Sequence, residues 1–415
     1  MRVLVIGSGA REHALVLSLL ADPAVSEVVC APGNAGISQV VATQPVDIED
    51  PAAVATLATG FDLVVIGPEA PLVAGAVDAC RAAGILAFGP TAAAARLEGS
   101  KDFAKEVMRS AGIPTADART VTDAAELPND LDAFGPPYVV KDDGLAAGKG
   151  VVVTDDRTQA LLHGEACLAK GGAVLIEEYL DGPEASVFCI SDGTTVVPLL
   201  PAQDFKRVGE GDTGPNTGGM GAYSPLTWAD PDLAQWTVDH VAQPAIDEMA
   251  ARGIPYTGVL YVGLALTRTG PRVVEFNARF GDPETQAVLA LLETPLAGLL
   301  AAAAGGELSE HPPLKWRDGA AITVVLAAAG YPQSPRTGDV ITGSDAPGVL
   351  HAGTAVRDGA VVSSGGRVLN VVATGATLAE AREKAYATLR GIRLDGGHYR
   401  RDIAATLPEQ QESSR

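Results

Sequence analysis

At 415 residues the chain has the length of about three ordinary domains, each able to bury a core of its own. Hydrophobic content of 47% with only 5% aromatic residues indicates an α/β protein packed with Ala, Val and Leu. Acidic residues outnumber basic ones 51 to 30, for a net charge of -21, which excludes nucleic acid and anionic membranes as partners. Small anionic substrates stay open, because single loops can be positive on an acidic protein. The chain enters a strand directly at MRVLVIG, and no apolar run approaches the ~18 residues needed to span a bilayer. The four cysteines show no C-x-x-C spacing and sit in apolar contexts, as core thiols of a reducing compartment do. A soluble, cytoplasmic protein is expected.

Over residues 1–100, strand and helix alternate: strands at 2–6, 27–30, 62–66 and 85–88, helices at 11–20 and 74–83. That rhythm predicts a parallel sheet with helices on its faces. Gly7-Ser8-Gly9-Ala10-Arg11-Glu12 departs from a dinucleotide fingerprint: Glu12 replaces the third glycine, and Cys30-Ala31-Pro32 ends the second strand without an acid for a ribose. A phosphate or other small anion at that helix N-terminus is expected, and NAD is not. Gly33-Asn34-Ala35-Gly36 and Gly67-Pro68-Glu69 follow further strands at the same sheet edge, where open α/β sheets bind ligands.

Next comes a helix from about 102, and then a glycine-rich loop, Lys141-Asp142-Asp143-Gly144-Leu145-Ala146-Ala147-Gly148-Lys149-Gly150, between two β-branched strands. Its glycines let backbone N–H groups approach an anion, and Lys141 and Lys149 supply charge at either end. A Walker P-loop needs Gly at Asp143, Ser or Thr at Gly150, and a helix afterwards; none is present, so a flap over a nucleotide is the reading. Lysine is scarce, eight of the 30 basic residues, yet Lys101, Lys105, Lys141, Lys149 and Lys206 all lie within 101–206. A chain that otherwise prefers Arg keeps Lys where a compact point charge is wanted.

Two further segments carry chemistry. Glu275 and Asn277, two apart on the strand VVEFN, point to one face and pair a carboxylate with an amide oxygen, hard donors suited to Mg²⁺ beside nucleotide phosphates. Arg279 reaches the same face if the strand continues. Upstream, Gln203-Asp204-Phe205-Lys206-Arg207 leads into a glycine-dense polar loop, Thr213 to Tyr223, fit to cradle a substrate. Residues 301–313 form an Ala/Gly/Pro-rich crossing, and the rest reads as a small α+β unit with strands at 320–327 and 367–374 and a helix at 378–389.

Together these segments resemble the ATP-grasp ligases, and within them the phosphoribosylamine–glycine ligase family. The resemblance runs from VIGSGAREHAL through APGNAGI, GPEAPLV, KDDGLAAGKGV, IEEYLDGPEAS, QDFKRVGEGDTGPNTGGMGAYSP and EFNARFGDPETQ to AGYP, RTGDVI and GGRVLNV, nearly the whole chain. It implies a Rossmann-like N-terminal parallel-sheet domain (1–101), a split ATP-grasp domain (102–312, flap 120–185) and a C-terminal α+β domain (313–415). It implies ATP, with Mg²⁺ or Mn²⁺ on Glu275 and Asn277, and glycine and 5-phosphoribosylamine as the other substrates of a monomeric enzyme of purine synthesis.

The resemblance also distributes roles. Lys105, Lys141, Gly144, Gly148, Lys149 and Gly150 would hold the ATP phosphates; Glu177, Glu178, Tyr179 and Leu180 would form the hinge to the adenine, and Glu184 would take the ribose. Arg279, Lys141, Asp204 and Lys206 would act at the reacting centre. Gly9, Arg11, Gly67, Glu69, Asn216, Thr217, Gly218 and Met220 would bind substrate. Two residues depart from the family pattern: Asp142, where Ala is usual, and Phe205, where His is frequent. Competing classes are an NAD-dependent oxidoreductase, disfavoured by the broken fingerprint, and a nucleotide-sensing scaffold, disfavoured by the Glu275/Asn277 pair. Within the ligases, the alternative is another carboxylate–amine ligase of purine synthesis.

Overall fold

The computed structural model describes residues 1–145 and 150–405. The apolar run Val3–Ile6 is fully buried, as a strand covered on both faces must be. It lies in strand Arg2–Gly7, the middle of a five-stranded sheet ordered Ala42–Thr43, Glu27–Pro32, Arg2–Gly7, Leu63–Ile66, Ala87–Phe88. All the pairings are parallel. Strand order reverses beside Arg2–Gly7, so a crevice opens there at the carboxyl ends of the strands. The expected helix over 74–83 is two helices, Glu69–Ala74 and Ala76–Ala82, because Gly75 turns left-handed at φ 97° between them.

Helix Lys101–Ser110 leads into two antiparallel sheets that face each other across the main cleft. The flap sheet is ordered Ala118–Val121, Val174–Glu177, Tyr138–Asp142, Val151–Thr154. Helices Leu127–Phe134 and Arg157–Leu168 cover one side of it and share a separate small core with it, including Leu127, Leu131, Val140, Ala160 and Ile176. The opposing sheet is ordered Val196–Pro198, Glu184–Asp192, Thr257–Thr267, Gly270–Asn277.

A fourth sheet crosses the expected division of the chain. Its order is Gln203–Asp204, Gly221–Ser224, Ala320–Ala327, Arg367–Gly375, Val349–His351, so both ends of the glycine-dense loop are strands in the sheet of the C-terminal part. The crossing over 301–313 is helical at its start: helix Leu296–Gly305 buries Leu296, Leu299, Leu300 and Ala303, and Gly306 ends it at φ 81°.

The N- and C-terminal parts meet at two histidines. His13, on helix Ala10–Leu20, accepts at Nδ1 from the backbone N–H of His351, 2.9 Å away. His351 in turn bonds Thr354 Oγ1 and the Ser344 carbonyl at 3.0 Å each. Burial, with His351 adding a smaller effect, lowers the pKa of His13 to about 4, so it stays neutral and keeps its acceptor. The unfolded chain takes up this proton near pH 6.5, so the stabilisation is complete above that pH and is lost as pH falls towards 4. Between pH 7 and 5, His13 should therefore cost the fold about 2 kcal/mol. Urea unfolding of wild type and His13→Asn, which keeps an acceptor without titrating, checks this: their difference should change by that amount, and an unchanged difference would refute the assignment.

Candidate active site

Alternation along strand Tyr138–Asp142 turns Lys141 into the cleft and Asp142 away from it. Lys141 Nζ lies 2.5 Å from Glu177, which also holds Lys105 at 3.0 Å, and all three are nearly inaccessible to solvent. Burial alone would raise the Glu177 pKa, but Lys141 and Lys105 together outweigh it and hold the carboxyl below its usual range. Lys105 also donates to Thr115 Oγ1 and the Ala116 carbonyl, and Lys141 to the Val274 carbonyl on the facing sheet. The Glu177 side chain is thus occupied by the lysines, which leaves the hinge role expected of it to its backbone. Asp142, whose extra charge marks a departure from the family pattern, faces Lys170 at 3.6 Å on the outer side.

Lys101 is the residue that the sequence reading left without a role. Its Nζ donates to the carbonyls of Asp142 and Gly144 at 2.7 and 2.9 Å. Asp143 returns the contact by accepting from the Lys101 and Asp102 amides at 2.5 and 3.2 Å, beside the Ser100 cap at the start of the same helix. Two signals marked the position in the sequence: scarce lysine, and Ser directly before a helix. Gly144 and Gly150 line the cleft, and strand Val151–Thr154 follows where a P-loop would need a helix. Gly148 and Lys149 lie outside the described residues.

On the facing sheet, Glu275 and Asn277 share one face and line the same cavity of about 710 Å³. Lys206 bonds Glu184 at 2.6 Å and approaches Glu275 at 3.9 Å. Burial would raise the Glu275 pKa, yet Lys206, Lys141 and Lys101 keep it low, so it remains an anion. Burial raises Asp204 to about 8 against the pull of Lys206, with Glu284 adding to the rise. Among the described residues no three His, Cys, Asp or Glu side chains gather into a closed metal cage. An anionic carboxylate beside an amide oxygen fits a hard cation that completes its shell with phosphate and water.

Arg279 stands beyond the strand, which ends at Asn277, and is held by Glu69 at 3.2 Å and Glu98 at 3.0 Å. The two carboxylates diverge. Burial raises Glu98, whereas at Glu69 Arg279 and Arg11 overcome the effect of burial and lower it. Arg11 donates to Glu12, 2.5 Å away, and to the Phe280 carbonyl at 3.0 Å, and lines the cleft with Glu69. Glu12 fills the space of the missing glycine: its carboxylate accepts from the Gly9 amide at 2.5 Å, and a Cβ on Gly67 would lie 2.1 Å from it. A dinucleotide pyrophosphate is therefore excluded sterically and by charge. Gly67 is buried beneath Glu12, while Gly9 lines a second cavity of about 390 Å³ with Ser8, Asn34, Asp282 and Arg367.

Glycine in the polar loop is required by packing. A Cβ on Gly219, where φ is 109°, would come 2.4 Å from Pro283. Thr217 bonds the Lys206 carbonyl through both its amide and its hydroxyl, at 2.7 and 2.9 Å. Arg367 Nη1 donates to the carbonyls of Gly218 and Asp282, each at 2.5 Å. Asn216, Thr217 and Gly218 line the main cleft, as do Glu178, Tyr179, Leu180 and Glu184. Met220 does not fit a substrate-binding role: its side chain is fully buried in the core, because its amide pairs with Phe205 and turns it inward. Glu98 and Arg367 escaped the sequence reading, since no local spacing reveals partners 85 to 180 positions away.

A nucleotide-sized cleft between two antiparallel sheets, with buried lysines on one and hard oxygen donors on the other, defines an ATP-grasp protein. The comparisons narrow this. The phosphoribosylglycinamide synthetase family models match residues 1–98 (N domain), 99–285 (ATP-grasp (A) domain) and 321–406 (C domain). The chain belongs to this family. It is 61% identical to the phosphoribosylamine–glycine ligase of Mycobacterium bovis, covering 99% of both chains, and 61% identical to that of Streptomyces coelicolor, covering 98% and 99%. The crystal structure of the Thermotoga maritima phosphoribosylamine–glycine ligase superimposes with a TM-score of 0.86 at 36% identity, covering 97% of this chain and all of that one.

Removing the carboxylate shared by Lys105 and Lys141 would leave two ammonium groups facing each other out of water. Glu177→Ala should destabilise the protein by ~3–5 kcal/mol and abolish detectable ATP binding in calorimetry. A stability loss below ~1 kcal/mol would mean that the lysines behave as exposed ion pairs.

Proposed function

We propose that the chain joins glycine to 5-phosphoribosylamine, converting ATP to ADP and phosphate and forming glycinamide ribonucleotide. One observation carries this reading: Lys101, Lys141, Glu275, Arg11 and Asn216 all line a single cavity. A nucleoside triphosphate and an acceptor can therefore meet without a protein nucleophile. A carboxylate is a poor electrophile, and phosphorylation activates it. One glycine carboxylate oxygen takes the γ-phosphoryl group of ATP, ADP leaves, and glycyl phosphate results. The amine nitrogen then forms the amide bond to the acyl carbon and loses a proton, while the C–O bond to phosphate breaks.

The protein positions reactants and balances charge. Lys141, oriented by Glu177, and Lys101 face the phosphates beside Gly144 and Gly150, and Gly148 and Lys149 are assigned to the same phosphates on sequence grounds alone. The backbone of residues 177–180 meets the base, and Glu184 takes the ribose once Lys206 releases it. Arg279, pre-set by Glu69 and Glu98, faces the transferring group alongside Asp204 and Lys206. Glu275 and Asn277 hold a divalent cation, Mg²⁺ or Mn²⁺, which when bound neutralises phosphate charge. Ser8 and Gly9 at a helix N-terminus, with Arg11 and Arg367, suit the phosphate of the sugar. Among the described residues no helix is long and apolar enough to cross a membrane, and all four thiols are buried, which supports a cytoplasmic enzyme; we read it as a monomer.

With ¹⁸O in the glycine carboxylate, the phosphate released with product should carry one label. Label in AMP, or unlabelled phosphate alongside product, would overturn the acyl-phosphate route. Glu275→Ala should lower turnover by more than about tenfold at saturating Mg²⁺, and smaller losses would remove Glu275 from the cation site.

A further inference from the structure

The glycine-dense loop opens with a hairpin of strands Arg207–Gly209 and Thr213–Asn216, in which Arg207, Asp212 and Asn216 line the cleft. A hairpin this short, with few buried residues, does not fix its own position. Its fixing comes from the far end of the chain. Arg400 is only 1% exposed, and its guanidinium forks onto Asp402 at 2.8 and 2.6 Å. The remaining Nη1 reaches Asp212 Oδ1 at 2.7 Å and the Arg207 carbonyl at 3.1 Å. Asp402 completes the loop by accepting from the Gly211 amide at 2.8 Å.

Two details tie this clasp to the chemistry of the cleft. Asp212 follows Gly211 at the hairpin tip, both with positive φ (53° and 66°) as a tight turn of Gly and Asp allows, and its carboxylate is pinned from outside the hairpin by Arg400. The Arg400 guanidinium also lies 5.1 Å over the ring of Phe205, the residue between Asp204 and Lys206. The 204–206 strand end is therefore tied to one buried cation directly, and the 216–218 turn, which Arg367 also holds, is tied to it through the pairing of Arg207 with Asn216. A Phe at 205 presents a flat face to that cation.

We propose that Arg400 is a positioning residue for the reaction: without touching substrate, it sets the hairpin that presents residues 204–206 and 216–218 to the acceptor substrates. This rests on the reading of the cleft given above. Lys101, Lys141 and the 177–180 backbone lie on other elements. Residues 204–206 meet ATP only at the transferring phosphoryl group and, through Lys206, at Glu184, so the clasp should act on glycine and phosphoribosylamine far more than on ATP.

Steady-state kinetics of full-length Arg400→Met and Arg400→Lys should show KM for both acceptors raised about tenfold or more, with KM for ATP within about twofold. An ammonium cannot reproduce a planar fork, so Lys should not rescue. Arg400→Ala should regain acceptor affinity when millimolar guanidinium refills the site. If Arg400→Met fails to fold, Asp212→Asn, which leaves the pair with Asp402 intact, carries the same test. Unchanged acceptor KM values, or a parallel loss in all parameters that tracks lost stability, would overturn the proposal. A wild-type protein that never turns over glycine and phosphoribosylamine would instead overturn the reading of the cleft on which it rests.

Discussion

A carboxylate shut away from water between two ammonium groups is acceptable only while all three stay in register, and Glu177 imposes that condition on the protein. Lys105 comes from the helix that follows the first sheet, and Lys141 and Glu177 from two neighbouring antiparallel strands of the flap sheet. Desolvation penalises each charge alone, so the three elements are locked by mutual need. The bidentate pair of Arg272 and Glu178, at 2.9 and 3.1 Å, repeats the link one residue on, at a wetter position. That pair and the bond from Lys141 to the Val274 carbonyl tie the two sheets together at one edge of the cleft.

The opposite wall is organised by repulsion and its relief. Glu275, Asp204, Glu284 and Glu184 crowd one region, and Lys206 is the cation common to them. At the first sheet the logic is inverted: Glu12 supplies the negative charge itself and occupies the turn where related sheets admit a pyrophosphate. One carboxylate thereby removes a dinucleotide site and orients Arg11 towards the cleft.

The fold was legible where periodicity is strong. The strands at 2–6, 151–153 and 320–327 and the helices at 11–20 and 378–389 announce themselves by alternation or by apolar spacing, and they form within a residue or two of expectation. The short strands Ala42–Thr43, Gln203–Asp204 and Val349–His351 carry no such pattern; they exist because a neighbour offers unpaired backbone groups. The site divides in the same way. Lys141, Glu275 and Asn277 stood out because strand alternation places them on known faces. Glu98, Arg367 and Arg400 act through contacts across 85 to 193 positions, which no local pattern encodes. Met220 misled because it sits in a polar, glycine-dense segment, while the amide pairing that turns it inward is tertiary.

The flap has a core of its own, with Leu127, Leu131, Ala160 and Ile176 packed away from the nucleotide side. The solvent-facing positions of its outer helices can therefore drift in sequence without disturbing Lys141 or Glu177, which sit on the other face of the sheet. For protein engineering this makes the outside of the flap a site where a reporter or a binding epitope can be grafted next to a working cleft. The tolerance comes from the division of labour between the two faces of a four-stranded sheet.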